Sequence, residues 1–301
     1  MNYFKIPFIN PFKFVPKTSS PGVHLDDSWA CEQIKSWQMR SYYHQKWRRA
    51  VTTTLYAEGS IAPDDLKIYG VDGKVKKSIA WMSLYTGLNY SLWKLPFDIS
   101  DLPAAFYWLY QNVASGPIQW EWISEPINSR DAWPDTMLFN YKNSYNDQDV
   151  AWSTGIDMNF LCEAGIMDLL PDRERTDYIN ETRDIVNLNG VPFRQFTLYI
   201  GKTPGVAPYI LDILNRIFCC DYVKIEGKLY QTIDGAKWNV IRAKGNPLVG
   251  ASIELNEAKN NMSSEFSDTT PLAPGLVIAY EVKTRFFGPG GSVQIEEVDT
   301  Q

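Results

Sequence analysis

The 301-residue chain is poor in the groups that carry most enzymatic chemistry. Histidine occurs twice, at His24 and His44, and cysteine four times, at Cys31, Cys162, Cys219 and Cys220. Two isolated histidines exclude the common zinc-ligand spacings. Three separated cysteine positions, one of them a vicinal pair, are not the framework of a disulfide-built secreted domain. Basic charge is short as well. Lys and Arg total 29 against 35 Asp and Glu, a net charge of −6, so the electrostatic footprint for a phosphate backbone is missing and direct nucleic-acid binding is not expected. Long apolar runs are missing too: nothing approaches the ~18 residues of a membrane span. At the amino end, Pro7, Pro11, Pro16, Lys5, Lys13 and Lys17 interrupt any run that would serve as a signal-peptide core, so a protein made soluble in the cytoplasm is expected. Phosphate loops and dinucleotide fingerprints do not occur. No cofactor and no metal is expected.

Aromatic residues are what the chain has in quantity. It carries 11 Trp and 17 Tyr, types that favour pleated sheets and recognition surfaces over helical bundles. Two phrases repeat about half a chain apart: "LKIYGVDGK" at 66–74 and "KLYQTIDGAK" at 228–237. In both, Asp-Gly lies between strand-like runs, the signature of a β-hairpin with a type I′ turn. Strands are also predicted at "AVTTTLYA", "KSIAWMSLY", "FYWLYQNVA", "IQWEWISEPI", "TMLFNYKNSYND" and "VPFRQFTLYIG", and at five later segments ending in "GLVIAYEVKTRFF". One helix stands out. Val206, Ile210, Ile213, Leu214 and Ile217 recur at 3.6-residue spacing, with Pro204 and Pro208 tolerable in or before a first turn.

The chain is therefore expected to be mainly β, with two β-rich domains and an extended arm. Residues 1–28 form the arm, 29–168 a β-sandwich domain, 185–288 an antiparallel sheet with one packed helix at about 205–218, and 289–301 a flexible tail. The boundary is placed at 165–190, where charge and Pro171 replace apolar periodicity.

Candidate chemistry is thin. Cys219 and Cys220 follow the carboxyl end of the predicted helix, where the negative end of the dipole disfavours a thiolate, so inert thiols are expected. Glu121 and Glu125 stand four apart on a predicted strand, ~13 Å at ~3.3 Å per residue, beyond the ~5–9.5 Å of a glycosidase pair. They read as solvent-face carboxylates, and no catalytic residue is assigned. Trp93, Trp108, Trp120 and Trp122 suit either a sandwich core or a carbohydrate-stacking platform. The arm is the most unusual feature. Phe4, Ile6, Phe8, Phe12 and Phe14, set among three prolines, can be neither helix nor central strand. Such side chains must be buried, either along the arm's own domain or across a neighbouring subunit as a clamp, and the five are candidates for that assembly contact.

The segments "YYHQKW" (42–47), "PDDLKIYGVDGK" (63–74), "SEPI" (124–127), "TMLFNYKNSYND" (136–147) and "VPFR" (191–194), in this order, resemble a group of phage and prophage proteins of gut Bacteroidetes, including those near crAss-like phages. The resemblance implies a virion component of the tail, neck or baseplate. Such a protein is a catalytically empty structural subunit whose partners are copies of itself in a ring and other virion proteins. Two other readings stay open: a glycan-binding or receptor-binding module using Trp-rich β-surfaces, and an enzyme with a carboxylate site not visible in the sequence.

Overall fold

Alternating burial organises the chain into strands, with a single α-helix among the described residues. The computed structural model describes residues 3–16, 43–87, 90–115, 118–147, 149–179, 183, 185–201, 205–233, 235–242 and 248–257. All of them lie in one compact unit, Met1–Asn260. The arm supplies β1 (Phe4–Lys5) and β2 (Phe14–Pro16). After it come β3 (Gln45–Arg48), β4 (Thr53–Gly59), β5 (Leu66–Gly70), β6 (Val75–Ile79), β7 (Met82–Thr86) and β8 (Ser91–Phe97). Next are β9 (Phe106–Ser115), β10 (Ile118–Ser124), β11 (Ile127–Arg130), β12 (Thr136–Lys142), β13 (Met158–Ile179) and β14 (Ile185–Ile200). Helix α1 (Pro208–Ile217) precedes β15 (Tyr222–Ile225), β16 (Lys228–Thr232), β17 (Asn239–Ile241) and β18 (Gly250–Glu257).

Three sheets result. The first runs β1-β4-β8-β7, and the second runs β2-β10-β9-β11-β3 with β5 and β6 added beside β9. They pack face to face. Leu55, Leu95 and Phe97 of the first sheet share a buried cluster with Leu66, Ile68, Tyr107, Leu109 and Ile127 of the second, the layered core of a sandwich. The third sheet runs β14-β13-β12-β15-β16-β18-β17, and an additional β14–β18 pairing closes it into a barrel. Residues alternating along its strands, among them Phe139, Phe160, Leu198, Ile225, Ile253 and Leu255, form one cluster with Ile210, Ile213, Leu214 and Ile217 of α1. The helix starts with Pro208 in its first turn and carries Arg216 in its last, favourable choices at each end. Its apolar stripe is the one the periodicity predicts, although Val206 lies outside it and bridges to Val249.

The mainly β class is as expected, but the sequence of modules differs. Strands β12 and β13, expected in the sandwich, belong to the barrel, so the change of sheet falls between Arg130 and Thr136. The polar stretch at 165–190 lies on the β13–β14 hairpin, inside the unit that reaches Asn260. Charge and lost periodicity place a domain boundary there, yet the two strands pair with each other through that stretch.

The repeated Asp-Gly phrases also separate. At 66–74 the hairpin forms, but Asp72 does not take a positive φ. Gly73 alone does (φ 69), with its amide donating to Gly70 O, a type I turn closed by a glycine bulge. At 228–237 no hairpin forms, because β16 and β17 each pair with β18 and not with each other. The two-residue turn with both φ positive is Glu226-Gly227 (φ 47 and 84), joining β15 to β16. The two phrases are thus not structural copies. "KSIAWMSLY" divides at Ala80–Trp81 into β6 and β7, which enter different sheets. The strand expected at "GLVIAYEVKTRFF", most of the connection after Pro16 and the tail lie outside the described residues.

Candidate functional site

The arm makes contact with both sandwich sheets and with the barrel cluster. Proline at three positions denies it a helix and leaves short extended pieces, and both pieces become edge strands. Phe4–Lys5 pairs with Gly59–Glu58 on β4, and Phe14–Pro16 pairs with Ser124–Trp122 on β10. One segment therefore closes an edge of each sandwich sheet. Between the pieces, fully buried Asn10 does the work of a backbone. Its Nδ2 donates to Pro7 O (2.9 Å) and Tyr56 O (3.0 Å), and its Oδ1 accepts from Tyr56 N (2.8 Å). The Tyr141 hydroxyl donates to Ile9 O (2.6 Å).

The arm side chains are distributed over all three clusters. Phe4 is buried with Ala57, Trp93 and Val113, and Ile6 packs beside it. Phe8 and Ile9 reach the barrel cluster. Phe12 inserts between Trp47 and Phe97, ring centroids 4.7 and 4.9 Å away, with Phe14 alongside. The five residues singled out for a neighbouring subunit are thus placed on this chain's own sheets. Eight large apolar side chains must be covered, and the nearest apolar surface with open strand edges is the chain's own. Gly59 makes the fit possible. A Cβ there would meet Tyr3 O at 2.5 Å and the Phe4 Cα at 2.9 Å, so the arm backbone lies directly on the glycine. Glycine inside a strand pattern marks such close approach, and "LYAEGS" was the available signal.

Where the arm crosses from sandwich to barrel it covers a buried carboxyl. Strand β10 ends at Ser124 because Pro126 cannot donate into a ladder. Glu125 therefore leaves the strand and turns inward, where it is fully buried. This corrects its expected place on a solvent face. Its amide donates to Lys13 O (3.1 Å). The Tyr209 hydroxyl, in the first turn of α1, donates to its Oε2, and Lys13 Nζ lies 4.5 Å from the centre of the Tyr209 ring. Tyr43 packs edge-on against Tyr209 at 6.2 Å. Burial pushes the Glu125 pKa up to about 8 from an ordinary 4.5, and the Tyr209 hydrogen bond, the Lys13 amide contact and the Lys13 charge offset only part of the effect. A pKa of about 8 favours the protonated carboxyl at pH 7, and among the described residues its Oε1 has no hydrogen-bond partner. Burial likewise raises Tyr43, Tyr209 and Cys162. Farther out, Glu163 ion-pairs with Lys46 at 3.0 Å, and Lys46 also binds Asp135. The arrangement ties three pieces of chain together around a buried carboxyl.

The structure places the remaining candidates as follows. Cys220 is buried and pushed up to about 12, chiefly by burial and then by Asp147, while Cys219 is exposed. His44 is half-buried against Phe106 and lowered by burial and by Lys46 and Arg130; His24 lies outside the described residues. Trp93 and Trp108 are buried, and the partly buried Trp120 and Trp122 pack against the Phe4 cluster. Glu121 stays on the strand, close to Tyr110. Two surface depressions, of about 420 and 380 Å³, lie beside Trp152 and Tyr222 and beside Phe8 and Arg216. Among the described residues no group of three His, Cys, Asp or Glu side chains could hold a metal, and no helix is long and apolar enough to cross a membrane. No family model, curated protein or solved structure matches the chain.

Proposed function

We propose that the chain is a non-catalytic structural subunit of a bacteriophage particle, in the tail, neck or baseplate, that works through contacts with copies of itself and other virion proteins. The observation that carries the assembly role is the outer part of the β13–β14 hairpin. From Pro171–Arg194 to Ile179–Ile185 the two strands pair through nine successive partners, whereas β12 ends its pairing at Glu163 and β18 begins at Gln195. Over that stretch, about 30 Å at ~3.3 Å per residue, the described residues supply no further strand. A lone two-stranded ribbon is only marginally stable in water, so its fitting context is another surface. Edge strands that add to a neighbour's sheet are a common way to build such contacts. The assignment to a phage particle rests on the sequence resemblance.

Native mass spectrometry and negative-stain imaging of the purified chain test the assembly role. Closed rings, or recovery of the protein from purified virions, are the expected outcome. A monomer at every concentration, whether or not it turns over a substrate, overturns it. The ribbon gives a sharper control: deleting residues 171–194 and rejoining the strands should leave the barrel folded and abolish the rings.

A further inference from the structure

We propose that the groove holding the arm is an exchange site, in which residues 3–16 of one copy occupy the edges of β4 and β10 of a neighbouring copy. This rests on the assembly reading above and names the contact that joins the copies. Three observations carry it. First, the arm is held as an added part. It forms only edge strands, one on each sandwich sheet, and Gly59 and Asn10 shape a track that accepts its backbone. Second, the arm's connection leaves its origin open. Lys17 to Tyr42 is 26 residues, enough to span up to ~85 Å at ~3.3 Å per residue, so an arm seated in a groove can belong to that body or to the next. Third, the contacts are the same in either case: Phe4 and Phe12 fill the same pockets and Glu125 donates its amide to the same Lys13 carbonyl. Exchange of an identical element is the low-cost route to an oligomer.

Concentration selects between the two states. A chain's own groove is reached without meeting a second molecule, so in dilute solution it is filled first. Free subunits in dilute solution therefore keep their own arms. Within an assembly, neighbouring grooves stand at comparable local concentration, and exchange becomes competitive. The occupant is thus the arm of a second copy of this chain.

Lys5 and Glu58 stand directly opposite in the β1–β4 pair, a position suited to a disulfide across antiparallel strands. In a full-length background with Cys31→Ser and Cys219→Ser, the double variant Lys5→Cys, Glu58→Cys should close within single chains at low concentration, confirming the register. Mixing separate Lys5→Cys and Glu58→Cys chains under assembly conditions and oxidising them tests the exchange. The expected result is a disulfide-linked heterodimer at least fivefold above that of a Lys5→Cys and Lys74→Cys control, rising with concentration and confined to the oligomeric fraction. Oligomers with only control levels of heterodimer overturn the exchange and leave the assembly role standing. Monomers throughout, with no heterodimer, overturn both.

Discussion

Glu125 is a residue whose surroundings move its titration into the ordinary working pH range. Its pKa of about 8 against an ordinary 4.5 has a definite consequence for stability. Below about pH 4.5 the carboxyl is protonated in folded and unfolded chains alike. Between there and about pH 8 the unfolded chain gives up the proton and the folded chain retains it. Stability from this group therefore falls as pH rises, by about 1.4 kcal/mol per unit, and levels off above pH 8. Glu125→Gln keeps the shape and an acceptor for the Tyr209 hydroxyl but cannot ionise. Urea unfolding of the two proteins between pH 5 and pH 9 should show the variant gaining on the parent by a few kcal/mol across that range; parallel curves would show that the carboxyl is not desolvated. Cys220 is a buried free thiol whose pKa burial pushes up to about 12. Cys220→Ser should cost about 1–3 kcal/mol through a buried hydroxyl, and Cys219→Ser, at an exposed position, almost nothing. Assembly should survive both. Loss of assembly in a Cys219→Ser protein with unchanged circular dichroism would give that thiol a role the structure does not show.

At the scale of elements the arm decides most. Removing residues 1–16 strips β1 and β2 from their sheets and takes Phe4, Ile9 and Phe12 out of the clusters. At ~1.5–3 kcal/mol for each buried side chain this is about 5–9 kcal/mol, comparable with the whole stability of an ordinary domain. The truncated chain is expected to lose its cooperative thermal transition, and a Tm within a few degrees of the parent would show the arm to be dispensable. A smaller change isolates the first strand. Gly59→Val places methyl groups where Tyr3 O already lies, so the Phe4 end should lift while Phe12 stays seated. Limited proteolysis near Tyr3 and a loss of about 1–3 kcal/mol should follow. Elements were legible in unequal measure. The α1 stripe and strands β4, β9, β12 and β18 follow from periodicity and aromatic content. The Asp-Gly phrase at 234–235 misled because Asp-Gly favours positive φ without dictating which strands meet on either side of it. The Glu226-Gly227 turn went unread because Glu carries no such preference.

The whole molecule depends on how the sheets meet. The seam between sandwich and barrel is crossed by the arm, by Glu125 with Tyr209, by Arg48 with Glu226 (2.6 Å), and by the Gln45 amide donating to Leu161 O (3.2 Å). Parts fastened this way should unfold as one. A single coincident transition by tryptophan fluorescence and far-ultraviolet circular dichroism is expected for residues 1–260, and two separated transitions would show that sandwich and barrel are independent.

By itself, the sequence determined composition-level matters: a mainly β chain, the amphipathic helix α1, and an arm too apolar to stay in water and too rich in proline to be a helix. These follow from local preferences, which residue types and their spacing express directly. Only the tertiary structure decided that the arm closes both sandwich sheets, that "SEP" turns Glu125 inward against a tyrosine 84 residues away, and that a charged stretch is a ribbon and not a linker. Such features depend on which distant edges come together. Pairing across dozens of residues is set by the fit of whole surfaces, which no local window of sequence contains.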